Sequence, residues 1–164
     1  MNVDFFIKQI AMNKNKEEYV AGKLIKQYIP YEEKQASCEN IVKTTSFVNT
    51  ETGESFYRRN TPACDLLFNL ILIDKYFDID IDFGNALKEY NVLEENDYTT
   101  LLLKAIPERE YVTWQRMFSM VANDYMENER SLVSYLDTKI EALNKTTEGL
   151  ASIIEDVMKE NINK

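Results

Sequence analysis

The chain has 164 residues, a formal net charge of −9, four glycines, three prolines, two cysteines and no histidine. That length suffices for one domain burying roughly two-thirds of its unfolded surface. The acidity opposes general affinity for nucleic acid or anionic membrane, and the missing imidazole removes the commonest general base and the usual zinc ligand.

Few turn residues stand against 28 acidic ones, which predicts a helix-rich fold, because strand-and-turn proteins need more glycine and proline. Glycines only at 22, 53, 84 and 149 leave no material for a glycine-rich phosphate loop. A single domain over residues 1–164 is expected, in four stretches: N-terminal helices over 1–30, a β-hairpin over 31–59, a helical core over 60–127 and a C-terminal helical extension over 128–164.

In chain order, Asn2 is placed to cap a helix with Val3, Phe6, Ile7 and Ile10 on one face. Asp4 and Lys8 interrupt this apolar start, so no signal peptide is expected. Asn15 and Glu18 have the spacing of a capping box for a second helix. Its stripe, Val20, Leu24 and Tyr28, is predicted to run until Pro30.

IVKTTSFV (41–48), the turn chemistry of NTETG (49–53) and ESFYRR predict a β-hairpin, with a third strand drawn from 31–38. Asn60 or Thr61 caps the next helix, with Pro62 in its first turn. ACDLLFNLILIDKYF is apolar on most sides and is expected to be the central helix of the core. Its LLFNLILI (66–73) is the longest apolar run and falls short of a membrane span. Cys38 and Cys64 have no C-x-x-C spacing and are expected as reduced thiols of a cytoplasmic protein.

DIDIDFGNALKE (78–89) places Asp78, Asp80, Asp82 and Glu89 at calcium-loop positions 1, 3, 5 and 12. Position 6, which such loops reserve for glycine, is Phe83, and position 8 is the polar Asn85. The alternation of Ile79, Ile81 and Phe83 with aspartates instead predicts an extended connector, with Asp82 capping the helix behind it. No metal or other cofactor is expected. A metal-dependent hydrolase built on those four carboxylates is the enzymatic alternative. Glu108 with Glu110 and Glu94 with Glu95 are neighbours of the kind chance supplies in so acidic a chain.

Short helices are predicted at NALKEYNVL and DYTTLLLKAI, and Pro107 opens the most regular segment. There Tyr111, Trp114, Phe118, Val121 and Tyr125 form a heptad-like seam, flanked by Met117, Met120 and Met126. The seam serves either core packing or an aromatic contact surface; Trp114, Phe118 and Tyr125 are the candidate partner-binding residues. The stripe breaks near MENERS, resumes from Leu132 to Val157, and has a weak point at Gly149.

RRNTPACDLLFNLILIDKYFDIDID followed by NVLEENDYTTLLLKAIPEREYVTWQRMFSMVANDYMENERS, covering roughly 58–131, resembles small proteins from the morphogenesis modules of tailed bacteriophages of Gram-positive hosts. The resemblance implies a helical, non-enzymatic tail-assembly chaperone that binds the tape-measure or tail-tube protein in the host cytoplasm; charge and hydropathy add the expectation of no nucleic-acid or membrane partner. A homo-oligomer is compatible with it. It carries no signature residues to transfer. The alternative is an acidic inhibitor or adaptor that blocks a host nucleic-acid-binding or defence protein, motivated by the charge of −9.

Overall fold

Capping chemistry sets the helix starts much as the sequence predicts. In the computed structural model, which describes residues 1–49 and 56–127, Asn2 Oδ1 accepts from Phe5 N–H at 2.9 Å and opens α1, Val3–Met12. Asn15 accepts from Glu18 N–H and opens α2, Lys16–Ala21. Asn60 accepts from Ala63 N–H at 3.2 Å and opens α4, Thr61–Tyr76, with proline in its first turn. Each such bond satisfies a first-turn donor that the helix itself leaves without an acceptor.

The order of elements is α1, α2, α3 (Tyr31–Thr45), β1 (Ser46–Asn49), β2 (Phe56–Arg59), α4, a 3₁₀ turn (Phe83–Asn85), α5 (Ala86–Glu94), α6 (Tyr98–Ala105) and α7 (108–127). The fold is therefore mostly helical with one small antiparallel two-stranded sheet. The chain divides into two compact units, Met1–Phe47 with Arg58–Tyr125, and Val48–Tyr57 with Met126–Lys164. The core and cavities described below belong to the first. The stripe expected from Leu132 to Val157, the break at MENERS and most of the turn NTETG lie outside the described residues.

Two expectations about the first half of the chain are corrected. The hairpin is shorter than predicted, because residues 31–45 form α3 and there is no strand over 31–38. Lys34, Cys38, Ile41, Val42 and Thr45 are buried at helical spacing, and α3 packs on α4. Burial of that face outweighs the strand preference of its β-branched residues, and the Thr45 hydroxyl bonds back to Ile41 C=O at 2.7 Å.

The second correction concerns α2, which stops at Ala21 rather than running to Pro30. Ile25 N–H donates to Tyr76 C=O and Asp78 N–H donates to Lys23 C=O, so the chain after Gly22 lies extended against the end of α4. Those bonds satisfy backbone groups that a longer helix would have paired internally. Pro30 does not end α2; it precedes α3 as its N-cap.

α4 is central. Phe68, Leu70, Leu72, Ile73 and Tyr76 are all buried, and the helix meets α3, α5 and α6. Around it pack Phe6 and Ile10 of α1, Leu93 of α5, Tyr98 and Leu102 of α6, and Trp114 and Met117 of α7. After α4 the segment 77–82 is extended, with Ile79 and Ile81 buried as the alternation predicts. Phe83 does not join them. Asp82 Oδ1 accepts from Gly84 N–H at 3.0 Å and starts the 3₁₀ turn, which breaks the two-residue period and leaves Phe83 exposed.

Candidate functional site

The buried line of α7 is Glu110, Trp114, Met117 and Ala122. It is offset from the seam the sequence suggests: of Tyr111, Trp114, Phe118, Val121 and Tyr125, only Trp114 is fully buried and the others are half-exposed. Trp114 is therefore corrected from a contact residue to a core residue. Its indole Nε1–H donates to Tyr76 Oη at 3.0 Å, and its ring meets Phe68 edge-on at 6.3 Å. Of the methionines beside the seam, Met117 is buried and Met120 exposed.

Phe118 and Tyr111, on the adjoining face, border a groove of about 420 Å³ whose opposite wall comes from the first turns of α4. Phe118 packs on Phe68 with ring centroids 5.2 Å apart, and the Arg59 guanidinium stands 5.9 Å from the Phe118 centroid. Asp65 and Gln115 add polar groups to the wall. The groove thus has an aromatic floor and a mixed polar rim, the anatomy of a surface that holds an apolar side chain in register. Tyr125 lies two turns further along the same helix, half-buried.

At the other end of α7 lies a buried polar network that sequence reading passed over. Glu110 Oε2 accepts from Lys34 Nζ at 2.8 Å, from Tyr76 Oη at 2.5 Å and from Ile29 N–H at 3.2 Å. Burial pushes the Glu110 carboxyl up, but the bonds from Lys34, Tyr76 and Ile29 outweigh it and hold it below its ordinary value. Burial, reinforced by the bond to Glu110, raises the Tyr76 phenol. A signal for this network did exist. Lys34 is in line with Cys38, Ile41 and Thr45, and Glu110 with Trp114 and Met117; a charge on each of two apolar faces asks for a partner.

The four carboxylates at calcium-loop spacing have separate occupations. Asp78 Oδ1 and Asp80 Oδ2 face the Met1 α-ammonium at 3.6 and 3.2 Å. Asp82 accepts from Gly84 N–H and, at 2.6 Å, from the Asn85 side chain, bonds that lower its carboxyl pKa. Glu89 lies on α5, where burial and the charges of Asp4 and Asp82 raise its carboxyl. Among the described residues no three carboxylate or thiol groups are arranged to hold a metal ion.

Both cysteines are buried free thiols. Burial and the neighbouring Glu39 push the Cys38 thiol up to about 12, which keeps it protonated and unreactive. Cys64 Sγ lies 2.8 Å from Thr45 Oγ1 beneath the groove. No helix among the described residues is long and apolar enough to cross a membrane. Comparison with protein-family models, curated proteins and solved structures yields no match to this chain.

Proposed function

We propose that this chain is a non-enzymatic morphogenesis protein of a tailed bacteriophage, a tail-assembly chaperone that holds a helical segment of the tape-measure or tail-tube protein before it polymerises. The observation that carries this reading is the aromatic groove between α4 and α7, with Phe118 and Tyr111 on one wall and the residues from Arg59 to Phe68 on the other. Both walls fall inside 58–131, the span that resembles the phage proteins.

An amphipathic helix places apolar side chains at intervals of three and four, and a groove with a hydrophobic floor and polar edges accepts such a row. Phe118 is the principal contact in this reading, with Tyr111 beside it and Tyr125 further along; Trp114 supports them from below. The net charge of −9 keeps the carrier soluble while an aggregation-prone partner is held. The protein acts in the host cytoplasm, with neither nucleic acid nor membrane as partner.

The test is co-expression with the proteins encoded beside it, reading the soluble yield of the long tape-measure-type protein and its co-purification with the tagged chain. Wild type raises the yield and retains the partner. Phe118→Asp abolishes both in a chain that stays folded by circular dichroism, its melting temperature lowered by roughly a few degrees because the ring also packs on Phe68. If the partner is equally soluble without the chain, or is retained unchanged by Phe118→Asp, the reading fails.

A further inference from the structure

A second cavity, of about 410 Å³, lies where the start of α3 meets the start of α7, with Tyr28, Tyr31, Lys34, Arg109 and Glu110 on its wall. Its volume falls in the range of small-molecule sites, roughly 300–1,000 Å³. It is separate from the aromatic groove and does not depend on the chaperone reading.

Three features of the wall define what it would take. The first is charge. Lys34 and Glu110 neutralise each other at 2.8 Å, while Arg109 is exposed and has no ion pair among the described residues. The wall therefore carries one net positive charge in a chain of net −9.

The second is the supply of donors. Lys34 is 2% exposed, and Glu110 is the one hydrogen-bond acceptor of its ammonium among the described residues, although an ammonium has three N–H bonds. Both helices start behind a proline, Pro30 and Pro107, whose side chain cannot cap; α3 has no side-chain cap bond. Their first-turn N–H groups add donors near the cavity, while Glu32, Glu33 and Glu108 offset the positive helix ends.

The third is aromatic surface. Tyr28 and Tyr31 are 62% and 53% exposed, and the Lys34 ammonium lies 5.0 Å from the Tyr28 ring centroid. Two half-open phenol rings offer faces and edges against which a flat ring can stack. A bare inorganic anion would leave that surface unused, and a metal cation would meet the net positive charge contributed by Arg109.

We propose that this cavity binds a small aromatic monocarboxylate, its carboxylate on Arg109 and the Lys34 N–H bonds and its ring against Tyr28 and Tyr31. A planar guanidinium matches a carboxylate in two parallel bonds, which gives Arg109 the orienting role.

The experiment is an NMR titration of the full-length, ¹⁵N-labelled chain with phenylacetate, with phenylacetamide and inorganic phosphate titrated separately. Phenylacetate shifts the amides of Tyr28, Tyr31 and Arg109 and saturates at or below about 10 mM. Phenylacetamide and phosphate each bind at least roughly tenfold more weakly. Arg109→Gln weakens phenylacetate about tenfold, and Tyr31→Ala weakens it too, both at unchanged melting temperature because the two side chains are exposed. The proposal is overturned by absence of saturation, by equal affinity for the amide or for phosphate, or by insensitivity to Arg109→Gln.

Discussion

Glu110 and the run from Asp78 to Glu89 are both acidic, and their environments are opposite. The aspartates of the run spend their charges at the surface: Asp80 is 88% exposed beside the Met1 ammonium, and Asp82 closes a local turn. Glu110 has a single carboxylate oxygen holding three donors, Ile29 and Lys34 from around the start of α3 and Tyr76 from α4. The run is the more conspicuous in the sequence, yet Glu110 is the one that joins α3 and α4 to α7 through buried bonds. Carboxylates in water are cheap to rearrange; one buried against a lysine is not, because losing either partner leaves a charge without solvent or counter-ion.

The sharpest way to break the comparison is Glu110→Ala. It strands the Lys34 ammonium, the Tyr76 hydroxyl and the Ile29 N–H, and we expect a loss of ~3–5 kcal/mol in urea unfolding. The paired change Lys34→Met with Glu110→Leu is expected to be less destabilising than Glu110→Ala, since it removes both charges together. A double variant worse than the single one would mean that shape, rather than charge pairing, governs this end of α7.

Next in size, Trp114→Phe removes the indole bond to Tyr76 and part of a fully buried ring. The expected cost is ~1–3 kcal/mol by the same unfolding measurement. A variant that bound partner less well at unchanged stability would return Trp114 to the contact surface from which its burial removes it.

Glu110 and Glu89 also differ in pH response. Glu110 is held below its ordinary value of 4.5 in the folded chain, so its contribution is present above that value and lost as pH falls through the folded pKa. Unfolding free energy measured from pH 6 downward should therefore fall on the acid side, and Glu110→Gln should flatten that limb. Glu89 has the opposite sign. Its folded pKa is raised, so its ionised form opposes folding at neutral pH and the penalty fades as pH falls.

Glu89 Oε2 is also buried without a hydrogen-bond partner among the described residues. Glu89→Gln should stabilise the chain at pH 7 by no more than about 0.5 kcal/mol, with the gain gone in acid. Smallest of all, Asp82→Ala should loosen the 3₁₀ turn, seen as faster amide exchange at Gly84 and Asn85 with the global melt almost unmoved.

Much of the fold was legible wherever the information is local. Asn2, Asn15 and Asn60 mark helix starts because a cap needs only the next three residues. The central place of α4 follows from apolar residues on most sides of the helix. The alternation of Ile79 and Ile81 with aspartates fixes an extended connector, and Asp82 its end.

What the tertiary structure alone decided are the features that depend on a distant strand or helix. Residues 41–45 have strand propensity and became helix because α4 offered their face a place to bury. α2 ended at Ala21 because the backbone at 76–78 offered bonds across a gap of some fifty residues. The half-exposure of Phe118, the burial of Trp114 and the pairing of Glu110 with Lys34 turn on how far α7 is rotated about its own axis. A helical period gives the width of a stripe, but neighbours at long sequence separation select which edge of it faces inward, since only they supply the surface against which it packs.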